Sequence, residues 1–195
     1  MQDRLLRTVS AIYATVGHEA SWNQALGELC RSVDAPGAML TLEAPGGRVL
    51  DHHQHGFDET WLDDYARDWA ARSPYLARFY TEPRNAGRFL ASEELLPYED
   101  WVATEMFNES ARLMAVHHGA ATFFATTDCL RVRLSCVRDR SAGAFERDEL
   151  RNLDHLVPHI TQALRIGRAF PDPVADRLDA LDERRPLVAL EVLPR

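Results

Sequence analysis

A chain of 195 residues with 46% apolar side chains can bury one substantial core and leaves little room for a second independent domain. Its formal charge of -8 works against a standing nucleic-acid surface: phosphate binding needs clustered cations to displace counterions, and the 22 basic residues, all arginine, are dispersed along the chain. No apolar run reaches the length of a membrane span, the N-terminus lacks the apolar stretch of a signal peptide, and Cys30, Cys129 and Cys136 show no CxxC spacing, so a cytoplasmic protein with neither disulfide framework nor zinc knuckle is expected.

Leu5, Leu6, Val9, Ile12, Tyr13 and Val16 recur at steps of three and four, the stripe of a helix stopped at Gly17. A second helix opens on the capping-box pair Ser21 and Gln24, carries Trp22, Leu26, Leu29, Cys30 and Val33 on one side, and stops at Asp34-Ala35-Pro36-Gly37. Ala38 to Glu43 and Arg48 to His55 read as a hairpin around Pro45-Gly46-Gly47. A period of two places Asp51, His53 and His55 on one face of its second strand. Such a trio suits a divalent metal, and a polar outer face on a half-exposed strand is the commoner use.

The next stretch, Phe57 to Phe107, holds 11 of the 17 aromatic residues. A helix capped by Asp58 or Thr60 runs to about Arg72, with Trp61, Tyr65 and Trp69 every fourth residue on one side, and Ser73-Pro74 ends it. Tyr75 to Tyr80 add a short turn, and Pro83 and Gly87 make a loop to Arg88-Phe89-Leu90. Ser92 caps a brief helix over Glu93 to Leu96, and Pro97 opens another that carries Trp101, Met106 and Phe107. Strand-rich segments flank this stretch, so it reads as a helical insert folded over one face of a sheet. Aromatics so arranged would wall a small-molecule pocket, or would make an ordinary core.

Ala120 to Thr127 and Cys129 to Arg138 form a second β pair, the latter alternating Leu130, Val132, Leu134 and Cys136 against Arg131, Arg133 and Arg138, with one face in the core and the other in water. From Phe145 a long helix carries Leu150, Leu153, Val157, Ile160 and Leu164 up to Gly167. Past Phe170, Pro171-Asp172-Pro173 breaks the pattern, and residues 171–195 read as a polar tail or linker after a domain of residues 1–170. There is no GxSxG elbow, phosphate loop, dinucleotide fingerprint or HExxH, and the i,i+4 pair His155 and His159 encloses no general base. Neither catalysis nor a cofactor is indicated.

The order helix, hairpin, aromatic insert, β pair and closing helix resembles the N-terminal sensory domain of LuxR-type helix-turn-helix transcriptional regulators, from about Trp22 to Phe170. The segments that carry the resemblance are Trp61-Leu62-Asp63-Asp64-Tyr65 with Ser73-Pro74, Glu94-Leu95-Leu96-Pro97, Thr104-Glu105-Met106-Phe107-Asn108-Glu109, and Gly143-Ala144-Phe145-Glu146 through Pro158-His159-Ile160 to Ala163-Leu164. It implies an α/β (α+β) domain related to GAF and PAS modules, a central antiparallel sheet with helices on both faces. It also implies a small ligand held between sheet and insert at Trp61, Tyr65, Trp69, Tyr75, Trp101, Met106 and Phe107, coupled to transcription through a DNA-binding domain absent from this chain. Two departures stand out. Ser110 and Leu113-Met114-Ala115 replace the tryptophan and Pro-Gln-Gly break of relatives, so the helix would run on; Ser73 replaces the aspartate that meets a ligand amide in autoinducer-binding members, which argues against an acyl homoserine lactone. The striped terminal helices suit a homodimer. A ligand-free dimerisation module and a metal-dependent enzyme at Asp51, His53 and His55 are the alternatives.

Overall fold

The computed structural model describes residues 2–17, 19–43, 49–81, 85–125 and 131–169. Helices α1 (Gln2–Ala14) and α2 (Trp22–Ser32) precede strands β1 (Gly37–Glu43) and β2 (Val49–His55). The capping box of α2 is formed: Ser21 Oγ accepts from the Gln24 N–H at 3.2 Å, and the Gln24 side chain accepts from the Ser21 N–H at 2.8 Å. The insert follows as α3 (Glu59–Asp64), a π turn (Tyr65–Trp69), a 3-10 turn (Ala70–Arg72) and α4 (Pro74–Thr81). It continues through the short strand β3 (Leu90–Ala91), α5 (Ser92–Leu95), α6 (Tyr98–Val102), α7 (Glu105–Glu109) and a 3-10 turn (Ala111–Met114). Strands β4 (His118–Ala125) and β5 (Arg131–Arg138) and helices α8 (Arg147–Asp154) and α9 (Val157–Ala169) complete the described chain.

Among the described residues the sheet has five strands in the order β2-β1-β5-β4-β3, every strand pair antiparallel. Its register sets Leu40 opposite Leu134 and Met39 opposite Ser135, and alternation along each strand then sorts the side chains into two faces. One face presents Leu40, Val132, Leu134, Cys136 and Phe124 to Ile12, Leu26, Leu29, Leu153, Leu156 and Ile160 of the terminal helices, and this is the main core. Each large apolar side chain so buried contributes about 1.5–3 kcal/mol. The other face, with Met39, Arg133, Ser135, Val137 and Ala121, lies beneath the insert. Helices therefore cover both faces of a central antiparallel sheet, the α+β architecture expected.

Several expectations need correction. The closing helix is two helices, because Pro158 has no N–H and fits only the first turn of a new one. Its stripe of Leu150, Leu153, Val157, Ile160 and Leu164 is buried in this molecule's own core. The helix after Asp58 does not stay regular: Asp58 caps it by accepting from the Trp61 N–H at 3.1 Å, but from Tyr65 it widens into the π turn. Ser92 does not cap α5; Glu94 reaches back to the Ala91 N–H at 3.1 Å, while Ser92 Oγ accepts from the Gly119 N–H at 2.9 Å. Pro97 opens α6 alone, and Phe107 belongs to α7, capped by Thr104. The α-helix does not run on past Glu109 either: Ser110 leaves helical backbone at φ -131° and ψ -67°, and a 3-10 turn follows that Ala115, left-handed at φ 54°, closes. The arginine face of β5 is not in water: Arg133 is buried under the insert, and Arg138 is buried on the core face. The Pro45-Gly46-Gly47 turn, Pro83, Cys129 and Leu130, and the tail at 171–195 lie outside the described residues.

Asp51, His53 and His55 do share a face, turned towards α2. There His53 Nε2 pairs with Asp51 Oδ2 at 3.2 Å and its ring stacks on Trp22, while the His55 ring lies against Gly27. Among the described residues no three His, Cys, Asp or Glu side chains are placed to hold a metal, and no helix is long and apolar enough to cross a membrane.

Candidate ligand-binding site

Between the second sheet face and the insert lies a cavity of about 160 Å³. Its floor is Met39, Ser135, Val137, Ala121 and Arg133; its walls include Trp61, Tyr65, Tyr75, Trp101 and Met106. Sequence spacing explains the first wall. Phe57, Trp61 and Tyr65 follow at intervals of four, and their rings stack with centroids 5.4 Å apart at each step and interplanar angles of 13° and 24°. Gly37 makes room for this stack, because a Cβ there would come within 3.0 Å of the Phe57 ring. The Trp61 indole N–H donates to Ser110 Oγ at 3.1 Å, fixing α3 to the end of α7.

Five of the seven sequence-selected residues, Trp61, Tyr65, Tyr75, Trp101 and Met106, border the cavity. Trp69 does not, since the wider π turn rotates it off the line of Trp61 and Tyr65, and its ring lies 4.8 Å from the Arg72 guanidinium. Phe107 stands behind the wall, edge-on to Trp101 at 5.5 Å and to His117 at 5.1 Å.

Polar groups enter at two ends. On one side His118 Nδ1 lies 2.5 Å from Glu93 Oε1 and its ring stacks on Tyr98, whose hydroxyl is 2.8 Å from His117 Nδ1. Partial burial and the neighbouring His118 hold the His117 imidazole below its ordinary pKa. Burial, with the Glu93 charge adding to it, pushes the Tyr75 phenol well above its ordinary value. At the other end the buried carboxylate of Glu43 accepts from the Tyr80 hydroxyl at 3.1 Å and meets Arg133 Nε at 3.4 Å and Arg131 Nη1 at 3.8 Å. Arg133 Nε also donates to Thr41 Oγ1 at 3.2 Å. Burial pushes the Tyr80 phenol up to about 12. Ser73, which replaces an expected aspartate, borders the cavity, and no carboxylate does so among the described residues.

Sequence reasoning missed Arg133, Ser135, His117 and His118. A signal for Arg133 was present: a sheet whose two faces are both claimed by helices has no wet face left for the arginines of β5.

A central antiparallel sheet with terminal helices on one face and a cavity under a helical insert on the other gives the chain a GAF-like fold. It resembles the GAF domain from a phosphoenolpyruvate-protein phosphotransferase of Coxiella burnetii, with a TM-score of 0.50 and 13% identity over 85% of this chain and 95% of that one. Within that class the chain has the fold of the autoinducer-binding domains of LuxR-type regulators. The VqsR ligand-binding domain of Pseudomonas aeruginosa superposes with a TM-score of 0.55 and 14% identity, covering 88% of this chain and 98% of that one. CepR2 of Burkholderia cenocepacia, an N-acylhomoserine lactone dependent LuxR family transcription factor, gives 0.54 and 13%, covering 86% and 95%. At these identities the likeness is one of fold. No family model matches the sequence, and no curated protein matches it.

Proposed function

We propose that this chain is the small-molecule-sensing domain of a LuxR-type transcriptional regulator, non-catalytic and cytoplasmic. Residues 1–170 form the sensory unit, and residues 171–195 lead towards a DNA-binding domain outside this chain. The observation that carries the reading is the aromatic-lined cavity between the sheet and the insert. The ligand packs on Trp61, Tyr65, Tyr75, Trp101 and Met106, with Trp69 and Phe107 supporting those walls from behind. CepR2 depends on an N-acylhomoserine lactone; here, among the described residues, no carboxylate borders the cavity to accept an amide N–H, which argues for a different ligand.

The insert is tied to the terminal helices, because Asp154 Oδ1 of α8 accepts from the Phe89 N–H at 2.6 Å. A ligand that shifts the insert against the sheet therefore pulls on α8, and α9 follows it towards the next domain. Ligand moves that equilibrium only by the difference of its affinities for the two arrangements. We also propose a homodimer contact on α1 at the exposed Leu6 and the half-exposed Tyr13, whose hydroxyl lies 3.1 Å from His159 Nδ1 of α9.

Ser135 lies at the centre of the cavity floor, between Met39 and Ala121. Native mass spectrometry of the purified chain tests the reading: wild type is expected to carry a small co-purifying mass, or to take up an added ring-sized apolar compound, and Ser135→Phe to do neither. Wild type and variant behaving alike would sink it.

A further inference from the structure

The cavity wall is one-sided in charge. Most of it is apolar or aromatic; among the described residues that border it there is one arginine and no aspartate or glutamate. Arg133 is only 8% exposed, so its charge depends on protein partners or on whatever enters the cavity. One edge of the guanidinium is spoken for by Thr41 Oγ1 and Glu43 at 3.2 and 3.4 Å. Glu43 is also 3.8 Å from the half-exposed Arg131, so among the described residues one carboxylate faces both guanidiniums. The Tyr65 hydroxyl, a second donor, also borders the cavity.

We propose that the cavity takes a small monocarboxylate, with an apolar body among the aromatic walls and a carboxylate that meets Arg133 and the Tyr65 hydroxyl. This rests on the cavity being a ligand site and narrows the ligand to a chemical class. Size suits a small body: about 160 Å³ is close to the engineered apolar cavity that holds benzene, which matches one aromatic ring or roughly six to eight carbons. Charge selects the head, because a guanidinium out of water binds a carboxylate through charge-assisted, geometrically matched hydrogen bonds, whereas an alcohol or amide brings it no opposite charge.

The test is isothermal titration of the full chain with octanoate and 3-phenylpropionate, against octan-1-ol and 3-phenylpropan-1-ol, at neutral pH. Each acid is expected to bind about tenfold or more tighter than the alcohol of the same skeleton. Arg133→Gln should abolish that preference. Because Arg133→Gln leaves Glu43 buried with a weaker partner and can unfold the chain, Glu43→Gln provides the second arm: removing the competing anion should tighten both acids and leave the alcohols unchanged. Alcohols that bind as well as the acids, or a Glu43→Gln variant that loses the acids, overturn the carboxylate assignment while the cavity reading stands. Binding of none of the four also overturns it, and if wild type and Ser135→Phe are then indistinguishable by native mass spectrometry the cavity reading falls too.

Discussion

Thr122 sits on the core face of β4 opposite Leu134, fully buried, and its hydroxyl has no hydrogen-bond partner among the described residues. A buried unsatisfied hydroxyl costs about 1–3 kcal/mol, and valine has the same shape with none of that cost. Thr122→Val is therefore expected to raise stability by about 1 kcal/mol, read as a higher urea midpoint at unchanged slope. A lower midpoint would mean that the hydroxyl is satisfied after all. The same scale explains which site residues the sequence could reveal. Trp61, Tyr65, Tyr75, Trp101 and Met106 border the cavity, and they were legible because bulky apolar groups on an insert turn towards the surface they cover. Trp69 lies outside the lining because the π turn that rotates it leaves no mark in the spacing, and the burial of Arg133 was not legible because alternation along a strand says which residues share a face, not what covers that face.

Between elements, the pairing of Arg138 on β5 with Glu149 on α8 shows how charge holds the closing helices to the sheet. Arg138 Nη2 and Nη1 donate to Glu149 at 2.6 and 3.0 Å, its Nε donates to the Val33 carbonyl at 3.1 Å, and its guanidinium lies 3.9 Å from the centre of the Phe145 ring. Burial alone would raise the Glu149 pKa, but the hydrogen bond and charge of Arg138 outweigh it and hold the carboxyl below its ordinary value. A carboxyl depressed in the folded state adds stability above its unfolded pKa of 4.5 and loses it as pH falls through the lower folded value. Glu149→Gln should cost about 2–4 kcal/mol at pH 7, since it leaves Arg138 buried without its anion, and should flatten the acid side of the stability profile below pH 4.5. Asp51 and Asp139 have the same sign and will keep part of that slope, so an acid limb as steep as that of wild type would refute the role given to the pair. Element identities were largely legible: the capping box of α2 and the alternation in β1 and β5 are local signals. The break before α9 was not, because Pro158 reads equally as a kink in one helix or as the first turn of a second.

For the whole molecule, the stripe of α8 and α9 was the sequence's best argument for a dimer, and the fold uses it otherwise. Leu153, Ile160 and Leu164 are buried in the core of a single chain, so they cannot also face a partner. The large apolar side chains still exposed on a terminal helix, among the described residues, are Leu6 at 60% and Tyr13 at 39% on α1. They are seven positions apart, about two turns, and so lie on one side roughly 10 Å from each other along the axis. Two copies of α1 crossing antiparallel about a two-fold axis would set Leu6 of each against Tyr13 of the other, a self-complementary patch of the kind that closes without leading to fibres. The two sets of residues then predict different failures. Leu6→Glu should leave thermal stability nearly unchanged and shift the sedimentation of the full chain from dimer to monomer, because a charge on an exposed helix face harms only what packs there. Leu153→Glu should instead unfold the chain, since an unpaired carboxylate in a filled core exceeds the roughly 5–15 kcal/mol that holds a domain of this size together or consumes most of it. Wild type sedimenting as a monomer at about tens of micromolar, the range where a modest interface is populated, would remove α1 as a dimer surface and leave its exposed pair as ordinary surface apolar groups.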